Sequence, residues 1–108
     1  MFTREFAISI VEDFIRKLQA EGIDLQQAVL FGSYAINGQN EWSDIDVALV
    51  SDTFTGFGFE DKRSFAKINS QKPYSIIHTK TFPTIYFDMG DPFIDQIKKT
   101  GLVLFQKN

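Results

Sequence analysis

Ala-Val-Leu-Phe-Gly-Ser at positions 28–33 and Asp-Ile-Asp-Val-Ala-Leu-Val at positions 44–50 are the most informative stretches of this 108-residue chain. Each contains four consecutive apolar residues, which is typical of a short strand buried in a sheet. The first stretch ends in Gly32-Ser33, where the backbone can turn sharply. The second begins with two acids that flank one isoleucine. Together they predict two buried strands, one followed by a turn and the other opened by two carboxylates.

Helices are predicted by apolar spacing and by capping residues. Over residues 5–19 the apolar positions follow steps of one, three and four, which trace one stripe of a helix with Thr3 as its N-cap and Gly22 at its end. Asp91 followed by Pro92 marks the start of the last helix. This last helix is expected at residues 92–99, and two further helices are expected at 33–37 and 60–70.

The remaining segments complete the predicted fold. Two more strands are expected at 73–79 and 102–105, whereas 51–58 and 82–91 have the composition of loops. The alternation of helices and strands predicts an α/β (α+β) fold, a small mixed sheet of about four strands flanked by helices. The length fits one domain spanning residues 1–108.

Composition excludes several classes of protein. The chain has no cysteine, which excludes disulfide frameworks and thiolate metal sites. No apolar run approaches the roughly 18 residues of a membrane span, and no apolar region typical of a signal peptide follows the N-terminus, so we expect a cytoplasmic protein. The net charge of −3 argues against direct nucleic-acid binding. It does not argue against a nucleotide that a metal ion brings to an acidic site.

The two central motifs can carry chemistry together. Asp44 and Asp46 are separated by one residue, so on a strand both carboxylates point to the same face. Two adjacent carboxylates repel each other unless a cation lies between them, and Mg²⁺ prefers such oxygen ligands. Gly32 and Ser33 form a turn that can approach a phosphate closely. Either motif alone is usually a solvated strand start or an ordinary turn, but the pair predicts a phosphate turn beside a metal site.

The stretch from Leu30 to Ser33 followed by Asp44-Ile45-Asp46-Val47 resembles the signature of the DNA-polymerase-β-like nucleotidyltransferase superfamily, and the short chain resembles its minimal MNT branch. The resemblance implies the nucleotidyltransferase fold. It also implies that Asp44 and Asp46 bind one or two Mg²⁺ ions, and that Gly32 and Ser33 hold the triphosphate of an NTP substrate.

One departure from the family pattern affects the expected activity. Members generally carry a third carboxylate on the next strand, yet no acid lies between Lys72 and Lys80. Ser75 and His78 are the polar residues that can stand at this third position. Two further roles remain open: Trp42 is either a stacking surface for a base or a structural anchor.

Three functions follow as hypotheses. The first is an enzyme that transfers NMP, AMP above all, to an acceptor on a partner, since the resemblance implies pairing with a helical HEPN-type protein in a toxin–antitoxin system. The second is a catalytically degenerate nucleotide- and partner-binding module that neutralises such a toxin by complex formation. The third is a structural domain without ligand. The 12 phenylalanines and a possible exposed edge strand are also compatible with a homo-oligomer.

Overall fold

The architecture is described from a computed structural model, which covers residues 2–108. A 3-10 turn at Tyr74–Ile76 precedes the third strand. In chain order the helices and strands are α1 (Arg4–Ala20), β1 (Gln27–Phe31), β2 (Ile45–Ser51), α2 (Gly58–Lys62), α3 (Ala66–Asn69), β3 (Ile77–Pro83), α4 (Thr84–Met89), α5 (Pro92–Thr100) and β4 (Leu102–Gln106).

The four strands form one mixed sheet in the order β3-β2-β1-β4. β1 pairs antiparallel with both β2 and β4, and β2 pairs parallel with β3. The fold class and the sheet of four strands are therefore as predicted. Because β2 and β3 are parallel, the beginnings of these two strands lie at the same edge of the sheet.

Helices cover both faces of this sheet. One face packs against α1, whose buried residues Phe14 and Leu18 share a core with Leu30, Val47 and Leu49. The opposite face carries a second core, and its members are Val29, Ala48, Val50, Phe87, Ile94 and Ile97. Coverage on both sides explains the continuous apolar runs at 28–31 in β1 and 47–50 in β2.

The predicted helix caps are confirmed. Thr3 Oγ1 accepts a hydrogen bond from the Phe6 N–H at 3.0 Å, and Asp91 Oδ1 accepts one from the Ile94 N–H at 2.7 Å. Gly22 follows α1 with a φ of +90°, as expected of a residue that ends a helix. These contacts are local in sequence, which is why capping residues predict them.

Two predicted helices are wrong. Residues 33–37 form a turn that the Gly38 N–H closes on the Ser33 carbonyl at 2.8 Å, and Asn37 has a φ of +57°, which a right-handed helix does not adopt. The helix expected at 60–70 is broken into α2 and α3. The break lets Phe65 turn into the core, where its ring lies 6.3 Å from that of Phe14 and 6.3 Å from that of Phe54.

The third strand and the following loop also differ from the prediction. β3 begins at Ile77 and not at residue 73, because the 3-10 turn buries Tyr74, whose hydroxyl donates to the Asp13 carboxylate. The segment 82–91, expected to be a loop, contains α4, because Phe87 packs on Phe82 with ring centroids 5.5 Å apart. The spacing of residues in the sequence does not predict that Tyr74 is buried in the core with α1 or that Phe87 is buried in the second core.

Among residues 2–108, no helix combines the length and the apolar character needed to cross a bilayer.

Candidate functional site

Asp46 lies near the beginning of β2, between two neighbouring strands. It pairs in register with Phe31 of β1 and with His78 of β3. Its side chain is half-buried. Burial raises the pKa of the Asp46 carboxyl, the nearby Asp44 charge raises it further, and the neighbouring His78 and Lys80 side chains offset this only in part. The ionised carboxylate is therefore under-compensated, which is the electrostatic condition that a bound cation relieves.

Asp44 and His78 complete a cluster around Asp46. Asp44 directly precedes β2, and its Oδ1 lies 3.5 Å from Nε2 of His78. One ligand atom each of Asp44, Asp46 and His78 lies within 4.8 Å of the others. The two acids therefore converge, and the structure adds an imidazole to them. One ion can be reached by all three groups after small side-chain rotations.

Gly32 brings the turn after β1 against Asp46. Its φ is +75°, and a Cβ on this residue would lie 2.5 Å from Asp46 Oδ2. Real Cβ atoms do not approach another atom this closely, so a side chain here would displace the carboxylate. Ser33 follows in the same turn and is half-buried. The predicted Gly32-Ser33 turn and the predicted acids are therefore neighbours in space.

The cluster opens into a cleft of about 600 Å³. Asp46 and His78 lie on one wall, and Lys62 and Lys80 bring positive charge to the same cleft. Ser75, the other residue considered for the third position, also lines the cleft, but it lies in the 3-10 turn and not on β3. Of the two, only His78 belongs to the cluster of metal-ligating groups.

The shifted position of β3 determines what His78 can do. The sequence places His78 near the end of a strand at 73–79, whereas the structure places it second in Ile77–Pro83. Because β2 and β3 are parallel, this brings His78 to the edge that carries Asp46. No acid occurs in β3. His78 therefore occupies the position opposite Asp46 on the next strand.

A second cleft, of about 490 Å³, adjoins the first. The two clefts share three lining residues, Lys62, Thr79 and Lys80. Four of its lining residues are aromatic, Phe57, Phe82, Tyr86 and Phe93. The two lysines thus stand between the cleft with the acidic cluster and a second cleft that offers aromatic surface.

Asp61 is a residue that the sequence did not single out. It is buried, and its carboxylate accepts hydrogen bonds from the N–H and hydroxyl of Thr55, the Gly56 N–H and the Thr81 hydroxyl, at 2.7–2.9 Å. Burial alone raises the pKa of this carboxyl, but the four hydrogen bonds outweigh it and hold the pKa below its usual value. Asp61 thereby ties the loop after β2 to β3, and no spacing in the sequence signals it.

Trp42 does not anchor the structure. Its side chain is 84% exposed, although it lies only two residues before Asp44. Its backbone N–H donates to Asn40 Oδ1 at 2.8 Å, which fixes the backbone and leaves the ring in solvent.

Comparison with known proteins gives a family match and structural neighbours for this chain. A model described as a nucleotidyltransferase domain matches residues 8–104. A solved protein from Sulfolobus solfataricus, assigned as a nucleotidyltransferase, superposes with a TM-score of 0.71 at 12% identity, covering 96% of this chain and 84% of that one. A toxin–antitoxin structure with AMP-PNP aligns with a TM-score of 0.56 at 23% identity, covering 90% and 74%. Comparison with curated proteins gives no match.

Proposed function

This chain belongs to the nucleotidyltransferase domain family, and from that premise we propose that it transfers a nucleoside monophosphate, AMP in the first instance, from an NTP to a hydroxyl of a partner protein. The observation that carries the proposal is the convergence of Asp44 and Asp46 beside the Gly32 turn. A triphosphate needs positive charge, which a cation held by these carboxylates would supply, and close backbone approach, which the Gly32 turn allows.

The residues present fit a divalent cation. The cluster supplies two carboxylates and one imidazole within reach of each other, and Asp46 is electrostatically under-compensated. Asp44 and Asp46 would hold the ion. When bound, a divalent ion neutralises the phosphates and stabilises charge that develops on the reacting oxygens.

The chain's own residues then position the substrate. The Gly32-Ser33 turn holds the triphosphate, because glycine lets this turn lie directly against the Asp46 carboxylate, where the cation would be held. Lys62 and Lys80 line the cleft that Asp46 and His78 also line, and they supply positive charge to the departing pyrophosphate. The acceptor oxygen bonds to the α-phosphorus as the bond to pyrophosphate breaks, and the acceptor's proton passes to solvent.

We place the acceptor on a helical partner of the HEPN type, with this chain as the antitoxin. The structural likeness to a toxin–antitoxin protein solved with AMP-PNP supports this assignment. Exposed apolar side chains at α2 and α4, two helices that help to line the second cleft, also support it, since exposed apolar residues of this kind mark contact sites. The members of this apolar surface are Phe57, Phe59, Ile85 and Met89, each more than 70% exposed.

A second function is favoured by one specific observation, the lack of any acid in β3. A site with only two carboxylates can hold a nucleotide without transferring it efficiently. On this alternative the chain neutralises its partner by forming a complex, and the nucleotide only stabilises that complex.

Incubation with α-phosphate-labelled ATP, Mg²⁺ or Mn²⁺ and a helical partner protein of the HEPN type separates the two functions. Transfer predicts a partner that gains the label and the mass of one AMP. Asp44→Asn combined with Asp46→Asn abolishes the labelling, whereas Asp52→Asn, an exposed acid just beyond β2, leaves it intact. A partner that stays unlabelled, and is still neutralised by the double variant, supports binding alone and contradicts transfer.

A further inference from the structure

We propose that His78 completes the cation site as an imidazole ligand, and that the site therefore selects a first-row transition ion such as Mn²⁺ over Mg²⁺. The inference deepens the proposed function and rests on it for the identity of the site. On this inference, the imidazole nitrogen of His78 takes the position where the family pattern has a third carboxylate.

Strand register places the donor. Asp46 and His78 are direct partners in the parallel pair β2–β3, so their side chains project from the same face of the sheet at the same edge. The next position of β3 on this face is Lys80, a cation that does not ligate metals in its charged form. Along β3, His78 is thus the group that a cation held by Asp46 would meet.

Distances and exposure allow the three donors to converge. Nε2 of His78 lies 3.5 Å from Oδ1 of Asp44, and all three groups place a ligand atom within 4.8 Å of the others. The side chains of His78 and Asp44 are 60% and 57% exposed, so both can rotate at little cost. Asp46 has less freedom, because its carboxylate packs against Gly32. The half-buried acid therefore serves as the fixed point to which the two exposed groups adjust.

Ligand chemistry then decides which ion fits. Mg²⁺ demands oxygen ligands in near-ideal octahedral geometry and keeps several waters. Imidazole nitrogen instead favours first-row transition ions, which bind mixed nitrogen and oxygen sites more tightly than Mg²⁺ does. A set of two carboxylates and one imidazole therefore favours Mn²⁺ and the ions that follow it in the series. The histidine therefore shifts the preference of the site from Mg²⁺ to Mn²⁺ and does not abolish metal binding.

The experiment uses a favourable feature of this chain, which contains a single histidine. Untagged protein is titrated with Mn²⁺ and, separately, with Mg²⁺ in competition. Binding of Mn²⁺ is followed by electron paramagnetic resonance, and pulsed measurements detect the nitrogen coupling of a coordinated imidazole. Any such coupling belongs to His78 without further assignment.

Two substitutions of His78 and one control variant supply the quantitative test. We expect His78→Ala to weaken Mn²⁺ binding by at least about tenfold and to remove the nitrogen coupling, because even outer partners of metal ligands contribute that much. Mg²⁺ binding should change by less than about twofold. His78→Asp should move the preference toward Mg²⁺, and Asp52→Asn should leave both affinities unchanged. Since His78 is exposed, circular dichroism should show all variants folded.

The outcomes separate this inference from the proposed function. Mn²⁺ that binds without nitrogen coupling, with unchanged affinity in His78→Ala, overturns the inference even when AMP transfer is observed. Imidazole-bound Mn²⁺ without any transfer supports the inference and contradicts the enzymatic function. Absence of binding by either ion overturns both.

Discussion

Gly32 and Asp46 are in such close contact that a methyl group on Gly32 would lie 2.5 Å from the Asp46 Oδ2 atom. The contact joins the turn after β1 to the carboxylate of β2. The turn that we propose to hold the phosphates therefore lies against the acidic pair, and the size of residue 32 affects both.

Gly32→Ala should therefore remove nucleotide and cation binding together. We expect a loss of stability of about 1–3 kcal/mol from the positive φ, with a further loss from the displaced carboxylate. Denaturant unfolding and calorimetric titration with a non-hydrolysable ATP analogue check this.

Gly22→Ala is the matched control for this substitution. Gly22 also has a positive φ, at +90°, but an added Cβ meets nothing within 4 Å. The control should show only the backbone strain and should bind nucleotide normally. Normal nucleotide binding by Gly32→Ala would contradict the account of the turn.

Asp46→Asn should separate function from folding. The Asp46 charge is half-buried beside a like charge, so its removal should change the free energy of unfolding by less than about 1 kcal/mol in the absence of metal. The variant should lose the increase in melting temperature that Mn²⁺ gives the wild type, since only ions that bind the folded state stabilise it. A retained Mn²⁺-dependent increase would show that the ion binds elsewhere.

Asp61 should make stability sensitive to acid. Its folded-state pKa lies below the 3.8 of an unperturbed aspartate, so its contribution to stability is present above that value and is lost as the pH falls through the folded-state pKa. Asp61→Ala should cost about 1–3 kcal/mol at neutral pH, because it leaves the Thr55 and Gly56 donors without their acceptor. Urea unfolding between pH 7 and pH 2 measures both effects. A variant that loses stability below pH 4 as steeply as the wild type would contradict this role.

Partner binding should depend on the apolar surface and not on the cation cluster. Phe59 is 87% exposed, so Phe59→Ser should leave folding and Mn²⁺ binding unchanged. If Phe59 anchors the partner, the substitution should weaken the complex by about 1–2 kcal/mol, or roughly five- to thirtyfold. Calorimetry with the helical partner checks this, and Ser9→Ala on the exposed side of α1 serves as its control. If both variants bind the partner with equal affinity, the partner contacts a different surface of the chain.

Local patterns in the sequence predicted much of this fold. The stripe of α1, the caps Thr3 and Asp91 and the apolar runs of β1 and β2 each depend on residues within a few positions of one another. The positions of β3 and α4 depend instead on the burial of Tyr74 and Phe87 by distant parts of the chain, which spacing cannot show.

The same distinction between local patterns and contacts of distant segments applies to the candidate site. Asp44 and Asp46 were expected to converge because residues i and i+2 of an extended chain point their side chains to the same face. The position of His78 depends on the parallel register of β2 and β3, which lie some thirty residues apart in the sequence. The sequence therefore identified His78 as a candidate but did not predict that it lies opposite Asp46.

The most direct test measures nucleotide affinity as a function of the cation. Calorimetric titration with a non-hydrolysable ATP analogue should show binding by the wild type with Mn²⁺ or Mg²⁺ and little binding with a chelator present. The variant carrying both Asp44→Asn and Asp46→Asn should show little binding under any condition. Equal affinity for the analogue without a divalent ion, or in the double variant, would contradict the claim that these two carboxylates hold the cation that recruits the triphosphate.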